Sequence, residues 1–450
     1  MPSYWQHIIL LVMFILKNSD SYDKCYYWLQ NNYSFNIVDE MTSQKLSNLL
    51  HIITEKEKNM FYRLWYKTLD EDEYINIDLT SLPTYSQQMY FAEYGRPKQQ
   101  LDKKIKQINL CLFFGQKSFT PIYQQVYNGS LHDSITLRYT VTKFTDIVGD
   151  KKCLFIMDRG FYSSPKLSIL DKEGINYLCS VPFTNLWTKS EIDKVRNKIQ
   201  SPANTIMTND CDKVIVGSHI NKDIDSNNKD VNIHIYYDAE SYLEEQNKIY
   251  LKIHRISKMI IEGEDTSEHD QFIENYMIIH KSRGKNGKIS IVIHDEKVNK
   301  YLKYKGWFIY VSNCIDDPQK AYDLYHNRDM VEIGFFKYKN VLNIDRLEVH
   351  SDINANNKLF IGFLSLIMDR YITISLRNNK IIQRYNLDKI LRIMDTIKCY
   401  ENDNGQLVIS PLTKEQIKIF SEFHIDPPEF NFKWDKKFFH KYFVTQLHKK

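Results

Sequence analysis

Apolar and polar residues alternate along Tyr74–Thr80 (YINIDLT). Ile75, Ile77 and Leu79 fall on one side, and Tyr74, Asn76 and Asp78 on the other, which predicts a strand. Two further strand-like runs follow, Ile105–Gly115 and Phe119–Tyr127, the second closed by an Asn128-Gly129 turn. A helical stretch is expected from Asp133 to Phe144. Cys153–Met157 is then an unbroken apolar run that ends in Asp158-Arg159-Gly160, as in a strand buried on both faces. A helix over Ser164–Glu173 and a strand over Ile175–Val181 complete the order β-β-β-α-β-α-β.

That order is the one a ribonuclease-H-like fold uses. The fold class expected is therefore α/β, a mixed sheet flanked by helices, with Asp78 on the first strand and Asp158 at the end of the fourth. Residues 1–70 read as helical. Within them Thr54 and Glu57 fit a capping box, and Met60, Phe61, Leu64 and Trp65 recur at helical spacing. Residues 71–182 form the first part of the core. Residues 183–305 are rich in Asn, Asp and Lys and carry short runs such as VNIHIYY and KISIVIH, so an inserted, mainly β subdomain is expected there. A strand at Trp307–Val311 and a long helix from Pro318 to Lys339 return to the core (306–375). Residues 376–450 read as a helical, basic region with an aromatic tail.

Composition narrows this picture only at some points. Apolar residues make up 43% of the 450, enough for a large core, and Tyr (31) and Phe (24) are unusually common. Only 14 Gly and 11 Pro argue against a collagenous or disordered chain. The net charge of +4 neither marks nor excludes a nucleic-acid binder, because local clustering decides that. Seven scattered Cys without a CxxC pair suit reduced, buried thiols in a cytoplasmic protein. The run His7–Leu16 is too short to span a bilayer and has no preceding Lys or Arg, so a buried helix is expected, with no membrane association. No Walker loop, GxSxG, dinucleotide fingerprint or zinc spacing occurs.

The most specific pattern is Tyr325-x2-Arg328-x3-Glu332-x6-Lys339. On a continuous helix Arg328, Glu332 and Lys339 fall about 60°, 20° and 40° from Tyr325, in one stripe. Leu324, Val331, Phe335 and Leu342 form an apolar stripe beside it. Phosphodiester cleavage needs an activated water and a stabilised leaving oxygen. Two divalent ions held by carboxylates provide both. Asp78, Asp158 and Glu332 are the candidate catalytic and metal-ligating residues, expected within roughly 10 Å of one another. Arg328 and Lys339 suit phosphate binding, and Tyr325 a hydrogen bond to a phosphate near the cut. The plainer alternative is a surface helix on which Arg328 and Glu332 make an i,i+4 ion pair.

IMDRGFYS (Ile156–Ser163) resembles the second-Asp motif of bacterial insertion-sequence transposases. The Tyr-Arg-Glu-Lys pattern resembles the signature of the insertion-sequence-four-type group of the DDE superfamily, and YINIDLTSLPTYS its first-Asp block. Gln107-Ile-Asn-Leu and Asn128-Gly-Ser-Leu-His-Asp133 also resemble blocks of these proteins. The resemblance runs from about Thr42 to Ile425. It implies a ribonuclease-H-like core with a β insertion before the Glu, and cut-and-paste transposition with Mg²⁺ (two ions, Mn²⁺ as a substitute). The implied partner is double-stranded DNA, at transposon ends and target, bound by a homodimer. Such transposases usually carry an end-binding domain before the core, whereas only 77 residues precede Asp78 here. The alternative reading is accordingly a shortened, non-mobilising remnant that binds DNA or the full-length enzyme without catalysis.

Weaker candidates have competing explanations. Asp70 and Asp72 rival Asp78 for the first carboxylate but sit in an acidic turn. Asp133 precedes a helix and suits an N-cap. Arg159 suits a phosphate contact or an ordinary ion pair. The basic stretches 95–106 and 280–288 could track a DNA backbone or be solvated loops. Trp187 and Trp307 could stack on an unpaired base, although packing suits Trp307 better.

Overall fold

The computed structural model describes residues 4–18, 20–32, 41–69, 73–95, 105–131, 133–149, 153–208, 214–223, 230–281, 289–341, 347–378, 385–401, 407–427 and 431–432. The parts of the two basic stretches at 96–104 and 282–288, Asp70, Asp72, Leu342, Cys211 and the tail from 433 lie outside these residues.

In chain order the elements begin with helices α1 (Trp5–Asn18), α2 (Cys25–Gln30), α3 (Ser43–Ile52) and α4 (Glu55–Tyr66). Strands β1 (Tyr74–Pro83), β2 (Gln107–Gly115) and β3 (Pro121–Asn128) follow, then α5 (Asp133–Val148), β4 (Leu154–Met157), α6 (Ser164–Lys172) and β5 (Asn176–Ser180). Next come α7 (Leu186–Ile199), β6 (Thr205–Ile206), β7 (Ile215–Asp223), β8 (Asp230–Asp238), α8 (Ala239–Glu262), α9 (Asp270–Tyr276), β9 (Met277–Lys281), β10 (Ile289–Ile293) and α10 (Asp295–Leu302). Strand β11 (Trp307–Ser312) precedes α11 (Pro318–His326), α12 (Asp329–Phe336) and the long α13 (Asp352–Asn378). The class is mixed α/β, with sheet flanked by helices, and the β-β-β-α-β-α-β order expected from Tyr74 onward is present.

The chain divides into two compact units, residues 1–150 with 329–450, and residues 151–328. In the first unit β1, β2 and β3 form an antiparallel meander, with Asp78 opposite Leu112 and Leu112 opposite Gln124. All nine residues of β2 are buried, as befits a strand covered on both faces. Edge-to-face rings of Tyr62, Phe113, Tyr123, Phe144, Phe360 and Phe363 fill the space between the meander and helices α4, α5 and α13. The abundance of Tyr and Phe thus serves core packing. The capping box of α4 forms as expected: Glu57 N donates to Thr54 Oγ1 (3.3 Å) and Thr54 N to Glu57 Oε2 (2.9 Å). Its apolar stripe differs from expectation. Met60 and Leu64 are exposed, while Tyr62 and Tyr66 turn inward. Helix α1 is buried through Leu10, Leu11, Val12, Phe14 and Ile15, as expected. Helix α13 is long and apolar enough to cross a bilayer, yet Leu359, Ile361, Phe363 and Leu366 are wholly buried, the pattern of a core helix. Beyond 376 the expected all-helical region also contains short strands at Cys399–Glu401 and Leu407–Ile409, paired antiparallel.

In the second unit the strand order is β4-β5-β11-β8-β7-β6. β4 and β5 are parallel, and the remaining pairs antiparallel. The segment expected as an inserted, mainly β subdomain is a correction in two respects. Its β6, β7 and β8 extend this sheet, and it contains more helix than strand. The reason is α8, a 24-residue helix whose Ile249, Ile253, Ile256 and Ile260 recur at helical spacing beneath a charged surface, packing on α9, α10 and the β9–β10 hairpin. In the sequence, charged and polar residues between these Ile positions mask that longer period.

The helix expected from Pro318 to Lys339 is also corrected. It breaks at Asn327-Arg328 between α11 and α12, and Lys337–Val341 closes as a π-turn. The four motif residues therefore do not lie on one unbroken helix.

Candidate active site

In the second unit the buried run Leu154–Met157 ends at Asp158, which is half-buried. The chain turns there, with Phe161 N donating to Asp158 O (2.9 Å). Asp158 Oδ1 accepts from Arg159 N at 2.7 Å and from the Tyr325 hydroxyl at 3.1 Å. Arg328 Nη1 stands 3.9 Å from Asp158 Oδ2, its side chain mostly buried. The Tyr325 ring stacks on Tyr310 (centroids 4.1 Å, planes 24° apart), and the Arg328 guanidinium lies over the Tyr325 ring at 5.3 Å. Burial, and then the charge of Asp158, pushes the Tyr325 phenol well up, so it remains a donor at neutral pH. Cys179 lies beneath, with Sγ 3.7 Å from Asp158 O; burial raises its thiol strongly and keeps it inert. The first half of the sequence motif thus converges on the second predicted carboxylate. Arg159 is exposed beside it.

In the first unit Asp78 is half-buried on β1, with Oδ1 accepting from Leu79 N at 2.8 Å. Helix α12 packs on this face of the meander. A Cβ at Gly334 would stand 2.9 Å from the Phe114 ring and 3.6 Å from Leu112, the residue opposite Asp78. Only glycine lets the helix approach so closely. Lys339 is buried, and its Nζ donates to Thr80 Oγ1 (2.5 Å) and Ser81 O (3.2 Å). Thr80 is two residues from Asp78 and on the same face. The helix bearing Glu332 and the strand bearing Asp78 are therefore packed together, with Glu332 exposed in the first turn of α12. Lys339 sits where a clamp on β1 would, turned inward and not toward an external phosphate.

Among the described residues, no group of three or more His, Cys, Asp or Glu side chains is arranged to hold a metal ion. Trp307 is packed against Tyr237 and under Arg196, as the packing alternative expected. The side chain of Asp133 lies outside the described residues. The sequence reading missed Tyr310. Its place beneath Tyr325 comes from β11 lying beside β5 in the sheet, which no local pattern announces.

A carboxylate at the end of a buried strand, gripped by a Tyr and an Arg, is an oxygen donor held in a fixed orientation. Residues 71–368 match the transposase DDE domain family, and the chain belongs to that family. No curated protein matches the chain. Among solved structures, a similar chain is that of the piggyBac transposase synaptic complex with hairpin DNA. It has 12% sequence identity and a TM-score of 0.39, over 100% of this chain and 83% of that one.

Proposed function

We propose that this chain is a DNA transposase that cleaves DNA at transposon ends and joins the freed 3′ end to target DNA, using Asp78, Asp158 and Glu332 as its acidic residues. The observation that carries the reading is the convergence of Tyr325 and Arg328 on Asp158, within a chain whose family is that of transposase DDE domains. The Tyr-Arg-Glu-Lys spacing supports the insertion-sequence-four-type group within it.

The donor set is hard carboxylate oxygen, the chemistry Mg²⁺ prefers, and Asp158 is accessible enough to take a ligand, with its side chain 37% exposed. Asp78, Asp158 and Glu332 would hold divalent ions, which when bound supply an activated water and stabilise the leaving oxygen. The protein's own part is positional. Tyr325 donates a hydrogen bond to Asp158 and fixes its orientation. Arg328 balances its charge and would be the cation nearest Asp158 to meet a phosphate, and Arg159 offers a second cation at the same turn. Lys339 ties α12 to β1. Homodimerisation on paired ends belongs to the same proposal.

The test is cleavage of DNA bearing the inverted repeats that flank the coding sequence, with Mg²⁺ present and absent. Glu332→Gln should abolish cleavage and leave DNA binding intact. Retained cleavage would rule out its metal role.

A further inference from the structure

Strand β1 runs directly into a loop, residues 84–95, that displays three tyrosines to solvent. Tyr85 is 83% exposed, Tyr90 88% and Tyr94 62%. The loop that carries these three rings is held firmly. Tyr90 N and Phe91 N donate to the two carboxylate oxygens of Asp352 at 3.0 and 3.1 Å. Glu93 and Gln107 exchange backbone hydrogen bonds (3.0 and 2.9 Å), and Gly129 N donates to Phe91 O (3.0 Å). Met89 and Ala92 are buried under the loop. The backbone is thus fixed while the rings point outward, so little conformational entropy remains to be lost when a flat ligand settles on them.

The sequence that continues from the loop is basic. Residues 84–106 carry Arg96, Lys98, Lys103, Lys104 and Lys106 against Glu93 and Asp102. Glu93 already accepts from Asn128 Nδ2 (2.8 Å) and Ser130 N (3.4 Å). Thr84 N donates to Lys106 O at 2.8 Å, which returns the basic end of the segment to the start of the tyrosine loop. Exposed aromatic faces within a basic stretch of sequence suit nucleobases joined by phosphates. A closed duplex hides its base faces, so the bases concerned are unpaired ones.

We infer that Tyr85, Tyr90 and Tyr94 form a stacking platform for unpaired bases at a DNA strand end. The inference rests on the proposed DNA transposase reading and adds a second contact region to it. Stacking on one aromatic ring is lost at a cost of about 5- to 160-fold in affinity per base.

The experiment compares the full chain with the triple variant Tyr85→Ala, Tyr90→Ala, Tyr94→Ala on two probes, a blunt duplex and the same duplex with a single-stranded 3′ extension. The variant should lose at least about 5-fold in affinity for the extended probe, the loss of a single stacked base, and stay within about twofold on the blunt one. The corresponding triple Phe variant should bind both like the parent, because the ring and not the hydroxyl is used. Equal losses on both probes, no loss on either, or failure of the Phe variant would each overturn the platform. A change in sedimentation mass with unchanged DNA affinity would overturn it too, and would assign the tyrosines to a protein contact. If the parent binds neither probe, the transposase reading falls with it. If the parent binds both equally, only the platform falls.

Discussion

Removing one hydroxyl, in Tyr325→Phe, isolates the contact on which the Asp158 site depends. The substitution deletes the donor 3.1 Å from Asp158 Oδ1 and leaves the ring on Tyr310 and beneath Arg328. A hydrogen bond to a charged group contributes about 1.5–3 kcal/mol. Asp158 is 37% exposed, so water can take over part of that role, and about 1–1.5 kcal/mol is expected to remain after that discount. Arg159 N still holds the same oxygen, so Asp158 should stay near its position but lose definition of angle. A loss of this size lowers the cleavage rate about 5- to 13-fold if the lost energy acts on the transition state. The assay is a double-mutant cycle of Tyr325→Phe with Asp158→Asn, read by denaturant unfolding, with cleavage measured for Tyr325→Phe alone. A coupling near 1 kcal/mol is expected. Coupling below about 0.3 kcal/mol together with an unchanged cleavage rate would refute the claim that Tyr325 positions Asp158.

Two further outcomes follow from buried groups. Lys339→Met should leave the salt dependence of DNA binding unchanged, because the ammonium is engaged by Thr80 and Ser81; a slope reduced by about 0.9 would reassign it as a phosphate contact. His234, wholly buried on β8 with Nε2 3.0 Å from Ile315 O, has its pKa lowered by burial from 6.5 to about 4. The unfolded chain therefore binds a proton that the folded one refuses as pH falls from 6.5 toward 4. Stability is lost over that window by up to roughly 3 kcal/mol. Urea unfolding of the parent and of His234→Gln at pH 7 and pH 5 checks this, and equal losses in the two proteins would exclude His234 as the source.

Local periodicity was readable wherever one element decides its own pattern. The alternation of YINIDLT, the apolar run before Asp158 and the Thr54–Glu57 cap all formed as expected, because each depends on residues a few positions apart. What failed depended on distant partners. Met60 and Leu64 have the right spacing for a core stripe, yet the aromatic cluster takes Tyr62 and Tyr66 instead. The helix α8 is masked in the sequence because its Ile residues are diluted by Lys, Glu and Asn, while the short β-like runs outside it alternate cleanly. The inward turn of Lys339 was not legible either, since a lysine at a phosphate-binding spacing and a lysine clamping a strand look the same in one dimension.

The break at Asn327-Arg328 changes what the motif means physically. A straight helix would have given its four polar residues one shared surface, and a shared surface is also what a solvated ion-pair stripe needs. A broken helix divides the labour. Tyr325 and Arg328, in the segment ending at the break, are committed to Asp158. Lys339, beyond it, is committed to the strand of Asp78. Each half thus supports a different acidic residue, and neither commitment is required by helix formation alone. A solvated stripe has no reason to send its Tyr hydroxyl to a strand-end carboxylate or to bury its Lys. The spacing is better understood as two local clamps in series, joined by a break that leaves Glu332 at the start of its own helix.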